Sequence, residues 1–181
     1  MSRSCPRLVD LGRRQFLRGG GVAAVGAAAA TVAGAGAPGE ARAETGLARV
    51  VLPGKRLANL ADLTEGEPVF ISYPDESSPG VLIKLGVPAD GGVGPDGDVV
   101  AFSTLCPHKG FPLTYVGADR SLNCPGHYSR FDAEKGGQQI WGQATQNLPQ
   151  FHLVVDEEGE IHADGVDELI YGRLSNSLFA G

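Results

Sequence analysis

Two cysteines and two histidines stand in two short clusters of this 181-residue chain, Cys106-Pro107-His108 and Cys124-Pro125-Gly126-His127, with fifteen residues between them. Each cluster supplies one thiol and one imidazole, so the fold must bring two loops together tip to tip. Two Cys and two His at these spacings can hold a metal in three ways: as a zinc site, as a mononuclear iron site, or as a [2Fe–2S] cluster with both cysteines on one iron and both histidines on the other. Zinc fingers usually keep their cysteines on one element and their histidines on another. Loops that each carry one of both kinds place the sulfurs on one side and the imidazoles on the other, which suits a two-iron rhomb with unlike ends.

The rest of the chain says what carries the loops. Gly (27) and Pro (12) are plentiful, which favours many short strands joined by turns. Arg49 to Leu52 reads as a short strand, and 57–63 as one helical turn or a loop. Pro68 to Tyr73 and Val81 to Leu85 read as paired strands across a polar turn. Gly86 to Asp98 is a loop without a core of its own, and Val99 to Thr104 is a buried strand running into the first cluster. Ser121 to Cys124 leads into the second cluster. Gln138 to Trp141, Phe151 to Asp156 and Glu160 to Ala163 are three further strands, the last two joined through Glu157-Glu158-Gly159. Strands this short and evenly spaced predict an all-β antiparallel sandwich or barrel. The tail from Leu169 is apolar enough to pack on its own sheet or on a partner, and no internal repeat is evident.

The first forty-three residues differ. Five arginines (Arg3, Arg7, Arg13, Arg14, Arg18) precede an uncharged Gly/Ala stretch from Gly19 to Ala37, and Ala41-Arg42-Ala43 offers small residues where a signal peptidase reads. Arg13-Arg14 with Gln15-Phe16-Leu17-Arg18 resembles the twin-arginine motif. Residues 1–43 are therefore expected to be an export signal and 44–181 the functional domain, delivered folded to the periplasm. The alternative is retention of the Gly/Ala stretch as an anchor, since its nineteen residues reach about 28 Å as a helix. Cys5 leaves with the signal. Six of the fifteen basic and two of the twenty-one acidic residues lie before residue 44, so the remainder has nine and nineteen, a formal −10. Nucleic acid and anionic lipid are poor partners for so acidic a chain.

The two clusters, with Ser129 two residues beyond His127, resemble the fingerprint of Rieske iron–sulfur proteins. The stretch Gly142-Gln143-Ala144-Thr145-Gln146-Asn147-Leu148-Pro149 is similar to the proline-containing loop that covers the cluster in that family. The resemblance implies a Rieske-type β fold with a small cluster-binding subdomain, its loops within about 104–149. It implies one [2Fe–2S] cluster per chain, ligated by Cys106, His108, Cys124 and His127, with Ser129 donating a hydrogen bond to a cluster sulfur. The chain departs from Rieske proteins of the cytochrome bc type, which carry two further cysteines in a disulfide between the loops; the matching positions are Phe111 and Gly126. The tyrosine that type often has two residues after the serine is Phe131 here. Export, the small independent domain and the runs 124–132 and 142–150 look most like the small subunit of arsenite oxidase. That resemblance implies a large molybdenum-containing catalytic subunit as partner, with a soluble c-type cytochrome or copper protein as electron acceptor, and no catalytic residue on this chain.

From the ligand chemistry, replacing two thiolates by neutral imidazoles lowers the negative charge on a cluster and raises its potential, to between roughly −150 and +300 mV for this ligand set. With four protein ligands the irons have no open position, so the centre carries electrons and does no substrate chemistry. His152 and His162 are expected to be surface or satisfied strand histidines, Asp156 to Glu160 a solvated turn, and Trp141 a core residue. A membrane-anchored Rieske subunit of a quinol-oxidising cytochrome bc complex is the second reading, which the missing disulfide opposes. A ferredoxin for a ring-hydroxylating dioxygenase is opposed by the export signal, and a zinc-stabilised module would be colourless.

Overall fold

The structure is a computed structural model, and it describes residues 49–173. The expected export signal and most of the apolar tail lie outside the described residues.

Among the described residues ten strands make three antiparallel sheets: β1 (Val50–Asn59), β2 (Pro68–Ser72), β3 (Pro79–Lys84), β4 (Val99–Ser103), β5 (Thr114–Val116), β6 (Ser121–Asn123), β7 (Arg130–Asp132), β8 (Gln138–Trp141), β9 (Phe151–Val155) and β10 (Glu160–Val166). The base sheet has the order β1-β10-β9, the middle sheet β2-β3-β4 and the cluster-end sheet β5-β6-β7-β8. Among the described residues only a 3₁₀ turn, Leu60–Asp62, interrupts the strands; the Asn59 side chain caps it by accepting from the Ala61 N–H. Among the described residues no helix is long and apolar enough to cross a membrane.

The middle sheet explains why β3 and β4 read as unbroken apolar runs. Val81, Ile83, Leu85, Val100 and Phe102 face one core, which also contains Cys106, Leu122, Cys124, Phe131 and Leu148. Leu82, Val99 and Ala101 face the other, with Tyr73, Phe151, Leu153, Ile161 and Ile170. Strands covered on both faces need apolar residues at every position, so the usual alternation disappears. β4 then enters the first cluster loop directly. Three bonds lock this junction: Ser103 N–H to Pro149 O (2.9 Å), Thr104 N–H to Pro79 O (3.0 Å) and Leu113 N–H to Thr104 O (2.8 Å).

The expected strand pairs form. β2 pairs β3 with Phe70 opposite Val81, and β9 pairs β10 with Val155 opposite Ile161. The expected first strand is longer than its apolar part. β1 continues to Asn59 through two register shifts against β10, and such bulges erase the period-two pattern that would reveal it. β5 and β7, three residues each, were not anticipated. Trp141 is not in the core: it lies on β8, the edge strand of the cluster-end sheet, and is 68% exposed. Of the tail's described residues, Ile170 is buried in the base core against the chain's own sheet.

Candidate metal centre

The structure brings the two Cys/His clusters together as two copies of one turn. In the first loop, Cys106 N–H donates to Phe111 O (2.9 Å) and Gly110 N–H to Cys106 O (2.7 Å). In the second, Cys124 N–H donates to Ser129 O (2.8 Å) and Tyr128 N–H to Cys124 O (3.1 Å). The fifth residue of each turn has a left-handed backbone: Gly110 at φ 70° and Tyr128 at φ 61°. CPHKGF and CPGHYS are therefore a short structural repeat, whose only sequence signal is the shared Cys-Pro.

This turn buries both cysteines and leaves both histidines near the surface. Cys106 and Cys124 are 1% and 3% exposed, unbridged, and lie in the same core cluster. Burial pushes the Cys106 thiol up and the adjoining Cys124 thiol adds to this, while the backbone N–H groups of His108 and Lys109, aimed at the sulfur, pull the other way. The imidazoles of His108 and His127 meet edge to face, with centroids 4.8 Å apart and planes at 82°. His127 is exposed and His108 half-buried. The donors thus stand as a sulfur pair and a nitrogen pair. Among the described residues no three His, Cys, Asp or Glu side chains converge as they would around a single ion.

The residues present fit a two-iron cluster. Nδ1 of His108 is buried without a hydrogen-bond partner, a costly state for an imidazole nitrogen unless something else binds it. Ser129 is fully buried, and its Oγ accepts from Gln143 N–H (3.1 Å) and Ala144 N–H (3.0 Å). The start of the Gly142–Pro149 stretch thus packs on the second loop.

The positions that hold cysteines in bc-type Rieske proteins are also in contact. A Cβ on Gly126 would lie 2.8 Å from the Phe111 ring, and that ring meets His127 edge to face at 5.7 Å. Phe111 joins the loops by packing. Phe131 is fully buried in the core that contains both cysteines.

A Rieske [2Fe-2S] domain model matches residues 55–152, which include both clusters and most of the sheets. This chain is a Rieske protein. It is 41% identical over 169 residues to the iodate reductase subunit IdrB of Denitromonas iodatirespirans, covering 92% of this chain and 86% of that one. Similarity to the cytochrome bc1 complex Rieske iron-sulfur subunit of Corynebacterium efficiens is 43% over 70 residues, which is 38% of this chain and 17% of the relative. The soluble domain of Rieske protein II (soxF) from Sulfolobus acidocaldarius shares the fold, with a TM-score of 0.61 at 24% identity over 67% of this chain and 82% of that one. The cofactor of this Rieske chain is a [2Fe–2S] cluster.

Several residues around the centre were missed by sequence reasoning. Trp141 and the 72%-exposed Tyr128 line a cleft of about 330 Å³ with Asn123, Cys124 and Arg130. Tyr171 leans on Gly110, where a Cβ would lie 2.3 Å from its ring. His152 and His162 are, as expected, exposed or partly exposed strand histidines, each beside an aspartate, Asp164 and Asp156 respectively.

Proposed function

We propose that Cys106 and Cys124 ligate one iron, that His108 (through Nδ1) and His127 ligate the other, and that the chain is the electron-transfer subunit of a periplasmic molybdenum-containing oxidoreductase acting on an oxyanion. The observation that carries the ligand assignment is the paired arrangement of buried sulfurs and surface imidazoles, with an orphaned, buried Nδ1 on His108. Arsenite oxidation is the activity we assign to the large subunit. The runs 124–132 and 142–150, which look like those of the arsenite oxidase small subunit, support it. Iodate reduction is the second reading, favoured by 41% identity to a subunit of that name across nearly the whole chain. The two differ in direction: an oxidase sends electrons from the large subunit through this chain, a reductase sends them toward it.

When bound, the cluster supplies reversible one-electron transfer. The protein's part is to bury the sulfur side, hold the histidine side at the surface and set the local polarity. Exposed His127 gives a short edge to a partner, and half-exposed Phe111 limits water at that edge. Phe131 offers no hydroxyl, so one hydrogen bond that would stabilise the added electron is missing. Phe131→Tyr should raise the potential, by about 60 mV if the new bond is worth about 1.4 kcal/mol for a one-electron couple.

Phe111, Tyr128, Trp141 and Tyr171, all at least a third exposed, gather at the cluster end. We assign this aromatic rim to the large subunit, because permanent interfaces are the more apolar ones. A soluble c-type cytochrome or copper protein would complete the chain of transfer, and the twin-arginine signal would place it all in the periplasm.

Co-purification from periplasm, with molybdenum analysis and assays on arsenite and iodate, tests the reading. Molybdenum in stoichiometric amount with arsenite-dependent reduction of a cytochrome is expected. Iodate-dependent oxidation alone would move the assignment to the second reading, and a complex without molybdenum would remove both.

A further inference from the structure

Ser129 has a hydroxyl with one proton and two lone pairs. Both lone-pair directions are occupied, by Gln143 N–H and Ala144 N–H. The residue is fully buried, so water does not compete. The hydroxyl can therefore act toward the centre only as a donor. Its direction is decided by a segment thirteen to fifteen residues away in sequence.

Gly142 makes that approach possible. Its φ is +98°, a conformation L side chains rarely adopt. A Cβ there would lie 2.4 Å from Ser129 Cα, 2.6 Å from Ser129 N and 2.7 Å from Tyr128 O. These are backbone atoms of the cluster loop itself and cannot turn aside as a flexible side chain could. The carbonyl of Gly142 in turn accepts from Gln139 Nε2 at 3.0 Å, and Gln139 N–H donates to Asn147 Oδ1 at 3.1 Å. The segment is thus fastened at its outer side as well as against Ser129.

We infer that Gly142 and Gln139 are positioning residues for electron transfer: they clamp the Gln143 and Ala144 amides onto Ser129 and so hold its hydroxyl proton on the cluster. The clamp rests on the ligand assignment proposed above. It does not depend on the substrate of the large subunit.

Redox titration of the loaded protein tests it through a cycle. Ser129→Ala and Gly142→Ala should each lower the potential. The double variant should lie no lower than Ser129→Ala alone, because Gly142 has nothing left to position. Hydrogen exchange read by mass spectrometry should show the 143–144 amides protected in the parent and released in Ser129→Ala. Gln139→Ala, which cuts only the outer bond, should give a smaller downward shift and keeps the test available if Gly142→Ala does not load. An unchanged potential in both Gly142→Ala and Gln139→Ala, additive shifts in the double variant, or amides in Ser129→Ala as protected as in the parent would each overturn the clamp. Absence of a rhombic paramagnetic signal from the reduced parent would instead refute the ligand assignment.

Discussion

The two cluster loops are one turn used twice, and they differ in how each is held. Both close with the same pair of backbone bonds and a left-handed residue at the same position. The first puts glycine in that position and covers it with Tyr171. The second puts Tyr128 there and leaves it 72% exposed. The sixth residue differs as well: Phe111 rests on the outside against Gly126, while Ser129 is buried and bonded from the inner side by Gln143 and Ala144. The shared backbone places a cysteine inward and a histidine outward. The unlike supports hold the first loop by packing and the second by buried hydrogen bonds.

The largest expected effect breaks both loops equally. Cys106→Ala or Cys124→Ala should abolish the cluster, seen as loss of visible absorbance and of a rhombic signal with average g below that of the free electron in reduced samples. A variant that kept a normal signal would show that the two cysteines are not the sulfur pair.

Gly110→Ala should separate the loops. It places a Cβ within 2.3 Å of the Tyr171 ring and a side chain at φ 70°. Overlap and backbone strain together should cost about 2–3 kcal/mol. Adding Tyr171→Ala should recover only the overlap part, since the left-handed strain remains. Thermal or denaturant unfolding of the single and double variants measures the split; full recovery would mean that the turn at 110 is not strained.

Both supports lead back to one short stretch. Gln150, which ends the segment backing the second loop, donates its N–H to Asp167 Oδ1 at 2.8 Å, and Asp167 N–H donates to Gln150 O at 3.2 Å. Gln146 Nε2 reaches Leu169 O at 3.0 Å, two residues before Tyr171. Burial raises Asp167 to about 6, with Glu168 adding to the rise against the bond from Gln150 N–H. A raised carboxyl binds more protons folded than unfolded, so it favours the fold at low pH and loses that contribution as pH climbs from about 4 to about 6. After allowance for partial exposure this is about 1–2 kcal/mol. Asp167→Asn keeps an oxygen for Gln150 without the charge. It should flatten stability across that interval and raise it at neutral pH by about 1 kcal/mol. Unfolding curves at several pH values check this, and an unchanged slope between pH 4 and 6 would exclude Asp167 as its source.

What was legible in the sequence follows the same division. That the two Cys/His clusters meet could be read in advance because cysteine and histidine are rare in the chain and their spacing is local. β3 and β4 showed as apolar runs because both their faces are covered. Trp141 was misplaced because a large apolar residue reads as core unless its strand is known to be an edge. β5 and β7 are too short for any period to emerge. The supports at Tyr171, Gln139 and Gly142 act across the fold, and nothing local to them names Gly110 or Ser129 as their partner. The repeat of the turn was hidden because it is a repeat of backbone bonds, while its side chains differ at four of six positions.

The smallest effect is the sharpest test of the contrast. Tyr128 occupies a backbone conformation that costs a tyrosine on the order of 1 kcal/mol. Its ring, mostly in solvent, returns little by packing within the chain. Tyr128→Gly relieves the strain, and the glycine's greater freedom when unfolded offsets part of the gain. A net stabilisation of about 0.5 kcal/mol is expected in the isolated chain, opposite in sign to Gly110→Ala at the equivalent position. A residue kept against its own stability has its use elsewhere. The same substitution should therefore weaken association with the large subunit, since Tyr128 shares its cleft with Trp141 and Arg130, and these three residue types are the ones enriched among interface anchors. Unfolding of the free chain and affinity for the large subunit should move in opposite directions; destabilisation of the free chain would show that the ring serves the fold after all.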